Sequence, residues 1–78
     1  MINLTKREEM LIGEVAVAKG DMIKIDGERG KFMFLYHVTN NDNGVEWIDT
    51  IEMMRGGDGP WRSFKPGRAR IMKGRKRG

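Results

Sequence analysis

The sequence predicts a mainly β protein: a small antiparallel barrel or strongly bent sheet, with a short N-terminal helix and a basic C-terminal tail. Three observations lead there. Apolar residues alternate with period two from Val15 onward, glycine and asparagine turns punctuate the chain at short intervals, and helix signals occur only near the start. Seventy-eight residues suffice for one domain, expected over residues 1–72 with the tail at 73–78. Seven methionines and only six aromatic residues make a thin core of flexible side chains, expected to supply about 3–5 kcal/mol.

Taken in order, Thr5-Lys6-Arg7-Glu8 has the spacing of a capping box, and a helix from about Lys6 to Ile12, stopped by Gly13, is expected to follow. Such a helix is at most two turns and must dock Met10 and Leu11 or fray. A strand over Leu11 to Val17 is the competing reading. Val15 and Val17 then alternate with Ala16 and Ala18, and Lys19-Gly20-Asp21 turns the chain. Met22 to Asp26 reads as a half-buried strand with Ile23 and Ile25 inward and Lys24 outward.

After the turn Gly27-Glu28-Arg29-Gly30, Lys31 to Thr39 is the longest apolar stretch. Phe32, Phe34, Tyr36 and Val38 are expected on one face and Met33, Leu35 and His37 on the other, so this strand should be central or strongly bent. Asn43-Gly44 marks a type I′ hairpin turn leading into a partner strand from about Val45 to Met53. The register of that strand is open, because Val45, Trp47 and Ile51 prefer one face and Ile48 and Met54 the other. Arg55 to Pro60 reads as a glycine-rich loop, Trp61 to Phe64 as a short strand, Pro66-Gly67 as a turn, and Arg68 to Met72 as a last strand with Ala69 and Ile71 inward. Five short strands are expected in all.

Charge divides the chain. Met1 to Trp61 holds seven basic and eleven acidic residues, whereas Arg62 to Gly78 holds eight basic residues and no acidic one. An acidic body with a basic end points to nucleic acid, an anionic surface or an acidic partner. The plainer alternatives are a solvated terminus or a basic segment folded back on the body's own carboxylates. The chain has no cysteine, which removes disulfides and thiolate chemistry and fits a reducing cytoplasm. The apolar runs are too short to span a membrane, and the opening residues lack a secretory layout, so a cytoplasmic protein is expected.

Lys19-Gly20-Asp21-Met22-Ile23-Lys24-Ile25, followed by Gly27 and Gly30, resembles the opening of SH3-like barrels, including the KOW type found in ribosomal and transcription proteins. The likeness covers about fifteen residues, and where the KOW pattern has a further glycine this chain has Lys31-Phe32. It implies an SH3-like barrel, with RNA binding as the KOW corollary. The broader pattern, including His37-Val38-Thr39-Asn40, Trp47-Ile48-Asp49 and Arg62-Ser63-Phe64-Lys65-Pro66, is similar to small phage-encoded proteins, which would place it in a host cytoplasm.

Catalysis is not expected. His37 is the only imidazole and sits among apolar strand residues, where a hydrogen-bonded structural role is the more common one. The Asp and Glu residues fall mainly at turns or on exposed strand faces, and Gly56-Gly57-Asp58-Gly59 lacks the Lys-Ser/Thr of a phosphate loop. No cofactor or metal is implied. Nucleic-acid binding is the leading expectation, because phosphates need cations and unpaired bases stack on flat side chains. Trp61, Arg62, Lys65 and Arg68 interleave both kinds, and Arg70, Lys73, Arg75, Lys76 and Arg77 extend the strip. Phe64 reads as core before binding, while Trp61 fits either role. Nothing points to base-specific readout. The alternative is an adaptor or inhibitor that grips a protein partner in a groove of Tyr36, Trp47 and Trp61, and exposed strand edges allow either a monomer or an edge-paired homodimer. No membrane role is expected.

Overall fold

A computed structural model of the protein describes residues 3–72. The chain is mainly β. Its strands are β1 (Leu4–Arg7), β2 (Glu9–Ile12), β3 (Val15–Ala18), β4 (Met22–Ile25), β5 (Phe32–Asn40), β6 (Glu46–Met54), β7 (Gly57–Phe64) and β8 (Ala69–Ile71), with a single 3₁₀ turn at Pro66–Arg68 before the last. One sheet runs β7-β6-β5-β4-β8, and β1 also pairs with β5; β2 and β3 form a separate hairpin. All of these pairings are antiparallel.

The long strand β5 organises the rest. One edge pairs with β6 along its length, while the other is shared, with β4 at Phe32 and Met33 and with β1 from His37 to Asn40. The gap between β1 and β4 is spanned in sequence by the β2–β3 hairpin, which lays Val17 into the core with Met10 and Ile12 packed against it. Ile23, Ile25, Phe32, Phe34, Ile48, Phe64 and Ala69 complete that core. Phe32 and Phe64 meet edge to face, their centroids 5.2 Å apart, an arrangement that aromatic quadrupoles favour.

Several expectations are corrected. The N-terminal helix is absent among the described residues: Lys6 to Ile12 forms β1, a bend and β2. A helix of seven residues is marginal alone, whereas here β1 gains a full ladder on β5 and β2 a full ladder on β3. The two side chains of the supposed capping box have other partners. Thr5 Oγ1 accepts a hydrogen bond from Asn41 Nδ2 at 2.8 Å, and Glu8 reaches Lys19 at 3.7 Å. The turn between β2 and β3 is Gly13-Glu14, and Gly13 takes a φ of +64° that a side chain would disfavour.

The closed SH3-like barrel is likewise not formed. The sheet path ends at β7 and β8, which do not pair with one another, so the sheet is open. The type I′ turn is replaced by a longer loop in which Asn40 N–H donates to Val45 O at 2.8 Å and Gly44 N–H to Asn40 O at 2.7 Å. Only Gly44 within it has positive φ, +78°, while the Asn40 and Asn43 side chains accept from the Asp42 and Val45 N–H groups. The supposed loop from Arg55 to Pro60 shrinks to Arg55-Gly56, because residues 57–60 join β7. Pro60 is tolerated there since β7 is an edge strand. Gly59 is required by space: a Cβ there would sit 2.7 Å from the Glu52 carbonyl oxygen and closer still to Met54 Cγ.

The most consequential correction concerns β5. Phe34 pairs with Thr50 but Tyr36 with Asp49, leaving Leu35 as the extra residue of a bulge. The bulge reverses the alternation. Phe32 and Phe34 point into the core, as expected, but Tyr36 and Val38 lie on the opposite face.

Candidate functional site

The register defines that outer face row by row, because residues directly opposite in an antiparallel pair project to the same side. Trp61 on β7 lies opposite Ile51 on β6, Ile51 opposite Met33 on β5, and Met33 opposite Met22 on β4. The next row is Ser63, Asp49 and Tyr36, and the one after it Trp47, Val38 and Lys6. Tyr36, Trp47 and Trp61, the three rings proposed from the sequence as a groove, therefore share one face. Trp61 is 56% exposed, Tyr36, Trp47, Ile51 and Met33 are half-buried, and Val38 beneath them has no exposed surface.

Two lysines attend Tyr36. Lys6 Nζ lies 5.3 Å and Lys19 Nζ 4.8 Å from the ring centroid, and Lys19 also donates to the Tyr36 hydroxyl at 3.0 Å. The Tyr36 hydroxyl raises the Lys19 pKa above the ordinary lysine range, chiefly as acceptor of that hydrogen bond, with Glu8 adding to the effect. Lys31, Met53, Met54 and Arg55 line a shallow depression with Met22 at the end of the same region. Lys31 and Arg55 are exposed and make no ion pair among the described residues. The carboxylate at the centre of the face, Asp49, is 7% exposed and accepts a hydrogen bond from Ser63 Oγ at 2.8 Å. A second, Asp58, stands exposed at the rim opposite Met53.

The cationic strip read from the sequence is arranged differently. Arg62 lies opposite Thr50 and so projects to the inner side, where it reaches Glu52 at 2.9 Å and Glu28 at 3.4 Å. Arg68 donates to the Asp26 carbonyl and lies 3.8 Å from Glu28. Arg70 pairs with the Asp26 carboxylate and donates to the Gly67 and Ala69 carbonyls. The Arg62 and Arg68 guanidinium groups lie 5.1 and 5.2 Å from the Phe64 ring centroid, and Phe64 itself is 6% exposed, which gives it the core role. Three arginines expected to face an external anion are thus satisfied by the protein's own carboxylates. Lys65 is exposed without such a partner among the described residues. Lys73, Arg75, Lys76 and Arg77 lie outside the described residues; without them eleven basic residues remain against eleven acidic ones, so those four account for the whole formal excess of +4.

His37 Nε2 lies 2.7 Å from Glu46 Oε1, with the carboxylate accepting, on the opposite face of the sheet from the neighbouring Tyr36 and Trp47. Sequence reasoning missed Met22, Met33 and Ile51 as part of the exposed face, and Lys6 and Lys19 as partners of Tyr36. One signal for the first group was available: the unbroken apolar run Phe32 to Tyr36 does not alternate, as a bulged strand does not.

Fold and site together define a small mainly β domain with one filled face and one partly open aromatic face whose rim carries lysine, arginine and the exposed Asp58. The chain belongs to the family described as Domain of unknown function (DUF7246), whose model matches residues 2–78. No curated protein and no solved structure matches it. Among the described residues no helix is long and apolar enough to cross a membrane.

Proposed function

We propose that this is a non-enzymatic binding protein that holds nucleic acid without reading its sequence, through the outer face of the sheet and the cations around it. The observation that carries this reading is the exposed Trp61 ring on the same face as Tyr36 and its two lysines, with Lys31 and Arg55 unpaired beside it. Flat rings accept bases and ammonium or guanidinium groups accept phosphates, so a surface that presents both suits a polynucleotide. Lys65 and the sequence charge of Lys73, Arg75, Lys76 and Arg77 add to the attraction. Arg62, Arg68 and Arg70 are left out of the binding set because their charges are already matched within the fold; Lys19, 3.7 Å from the exposed Glu8, is the one paired cation kept in it, for its contact with Tyr36.

The test is a titration of the full chain with labelled oligonucleotides at 50 and 200 mM salt. Phosphate-dominated binding weakens by orders of magnitude over that interval. No binding at the lower salt, or binding indifferent to salt, overturns the reading. The second reading is a protein partner held on the same face. It is favoured by Tyr36, Trp47 and Trp61 sharing that face with Ile51 and Met33, and it predicts association that survives raised salt.

A further inference from the structure

We propose that the outer face is built for single strands and discriminates against duplex, with Trp61 as the stacking platform for a base and the Lys6–Tyr36–Lys19 group as a phosphate anchor. This rests on the nucleic-acid reading above and names the class of ligand that the same face takes.

The argument begins with how Trp61 is mounted. Its neighbours across the sheet, Ile51 and Met33, are half-buried and apolar, so the indole stands on an apolar floor and is still 56% exposed. An indole held on a sheet can meet only a base whose face is uncovered. In a duplex every internal base face is covered by its neighbours, and the outside presents sugars and phosphates. A single strand can turn its bases toward the protein, and aromatic stacking then adds about 1–3 kcal/mol per base.

The Tyr36 group supplies the complementary part. With two ammonium groups within 5.3 Å of its centroid, the ring is attended by cations rather than left open for stacking, and its hydroxyl already accepts from Lys19. This feature suits an anion better than a base. Trp61 and Tyr36 are two strands and one pleat repeat apart, about 12 Å at Cα from strand spacing and rise, so an extended strand can touch both at once. Charge on the face is divided: Asp49 is buried and held by Ser63, Asp58 is exposed at the rim, and Glu8 lies 3.7 Å from Lys19 Nζ, which leaves Lys6 as the ammonium of the Tyr36 group without an ion pair among the described residues.

The experiment compares a 20-nucleotide single strand with a 20-base-pair duplex, both labelled, by anisotropy at 50 mM salt, using the full chain and its W61A and W61F variants. The single strand is expected to bind at least tenfold more tightly than the duplex. W61A is expected to lose about five- to 150-fold of single-strand affinity, the range for one stacked base, with duplex affinity unchanged, and W61F to recover most of it. Urea midpoints for both variants confirm that the fold is intact. Equal single-strand and duplex affinity, or W61A binding the single strand as the parent does, overturns the inference while leaving salt-dependent nucleic-acid binding standing. Absence of binding to either oligonucleotide overturns both.

Discussion

On the inner side of β5, β6 and β7, Phe32, Phe34, Ile48 and Thr50 have no exposed surface, whereas on the outer side Trp61 keeps more than half of its own. The same three strands supply both sets, separated only by the alternation of a pleated backbone and by one bulge. The inner set is packed by the β2–β3 hairpin, β4 and β8, whereas on the outer side Val38 and Asp49 are buried, Lys6 and Lys19 lie against Tyr36, and Trp61 stays exposed. Large apolar side chains therefore have two different roles in one small domain. Those on the inner side hold the fold, and Trp61 on the outer side is the ring proposed above to meet a ligand. The cations divide in the same way, with Arg62, Arg68 and Arg70 matched to carboxylates beside the core while Lys6, Lys31 and Arg55 stand free of ion pairs among the described residues.

The division can be broken most severely from the inside. Phe32→Ala deletes a ring with no exposed surface and its edge-to-face partner contact, and is expected to cost about 3–5 kcal/mol, as much as the whole core is expected to supply. The variant should lack a cooperative urea transition followed by circular dichroism. Gly59→Ala comes next, because its Cβ would press on a backbone carbonyl and on Met54. A loss of about 1–3 kcal/mol is expected from the same denaturation curve. An unshifted midpoint would contradict the close approach of β7 to the Glu52 carbonyl and Met54.

Arg62→Ala removes ion pairs to Glu52 and Glu28 that are only partly shielded, with the guanidinium side chain 36% exposed, so a loss below about 1 kcal/mol is expected. Nucleic-acid affinity should hardly change, and a large drop in affinity with this variant would return Arg62 to the binding surface. Trp61→Ala sharpens the contrast from the other side, with stability within about 0.5 kcal/mol of the parent although one of the largest side chains is lost.

The smallest effect is the pH dependence of the Lys19–Tyr36 bond. The folded state raises the Lys19 pKa, so the contribution is fully present below the ordinary lysine value of 10.5 and is lost as pH rises through the higher folded value. The difference in urea midpoint between the parent and Tyr36→Phe should be constant from pH 7 to 9 and shrink above about pH 10.5. A gap that stays the same as pH is carried through the whole lysine range would contradict a contribution from the Lys19–Tyr36 bond.

Much of the fold was legible wherever a short-range rule governs. Ile23 and Ile25 turn inward and Lys24 outward, as their alternation requires, and the strands on either side of Asn43-Gly44 do pair. Phe64 and Ala69 are core residues as read. The site was half legible: Trp61 is exposed and shares a face with Tyr36 and Trp47, but the residues around them were assigned on an alternation that Leu35 interrupts. The segment from Lys6 to Ile12 satisfies a helix start rule and a strand pattern at once. Local signals cannot choose between them when the deciding hydrogen bonds come from β5 and β3.

By itself, the sequence determined the mainly β class, most of the turns and the inward residues of β4 and β8, because side-chain alternation and the backbone freedom of glycine and asparagine act over a few residues. It also determined that the formal excess of positive charge lies after Arg62. Only the tertiary structure decided which cations face outward. Arg62, Arg68 and Arg70 meet Glu28, Glu52 and Asp26 across separations as long as 44 residues, from Asp26 to Arg70, and pairing at that range depends on how the chain is folded rather than on any local pattern. The outer face was decided there too, since a single bulged residue reverses every side chain that follows it along the strand.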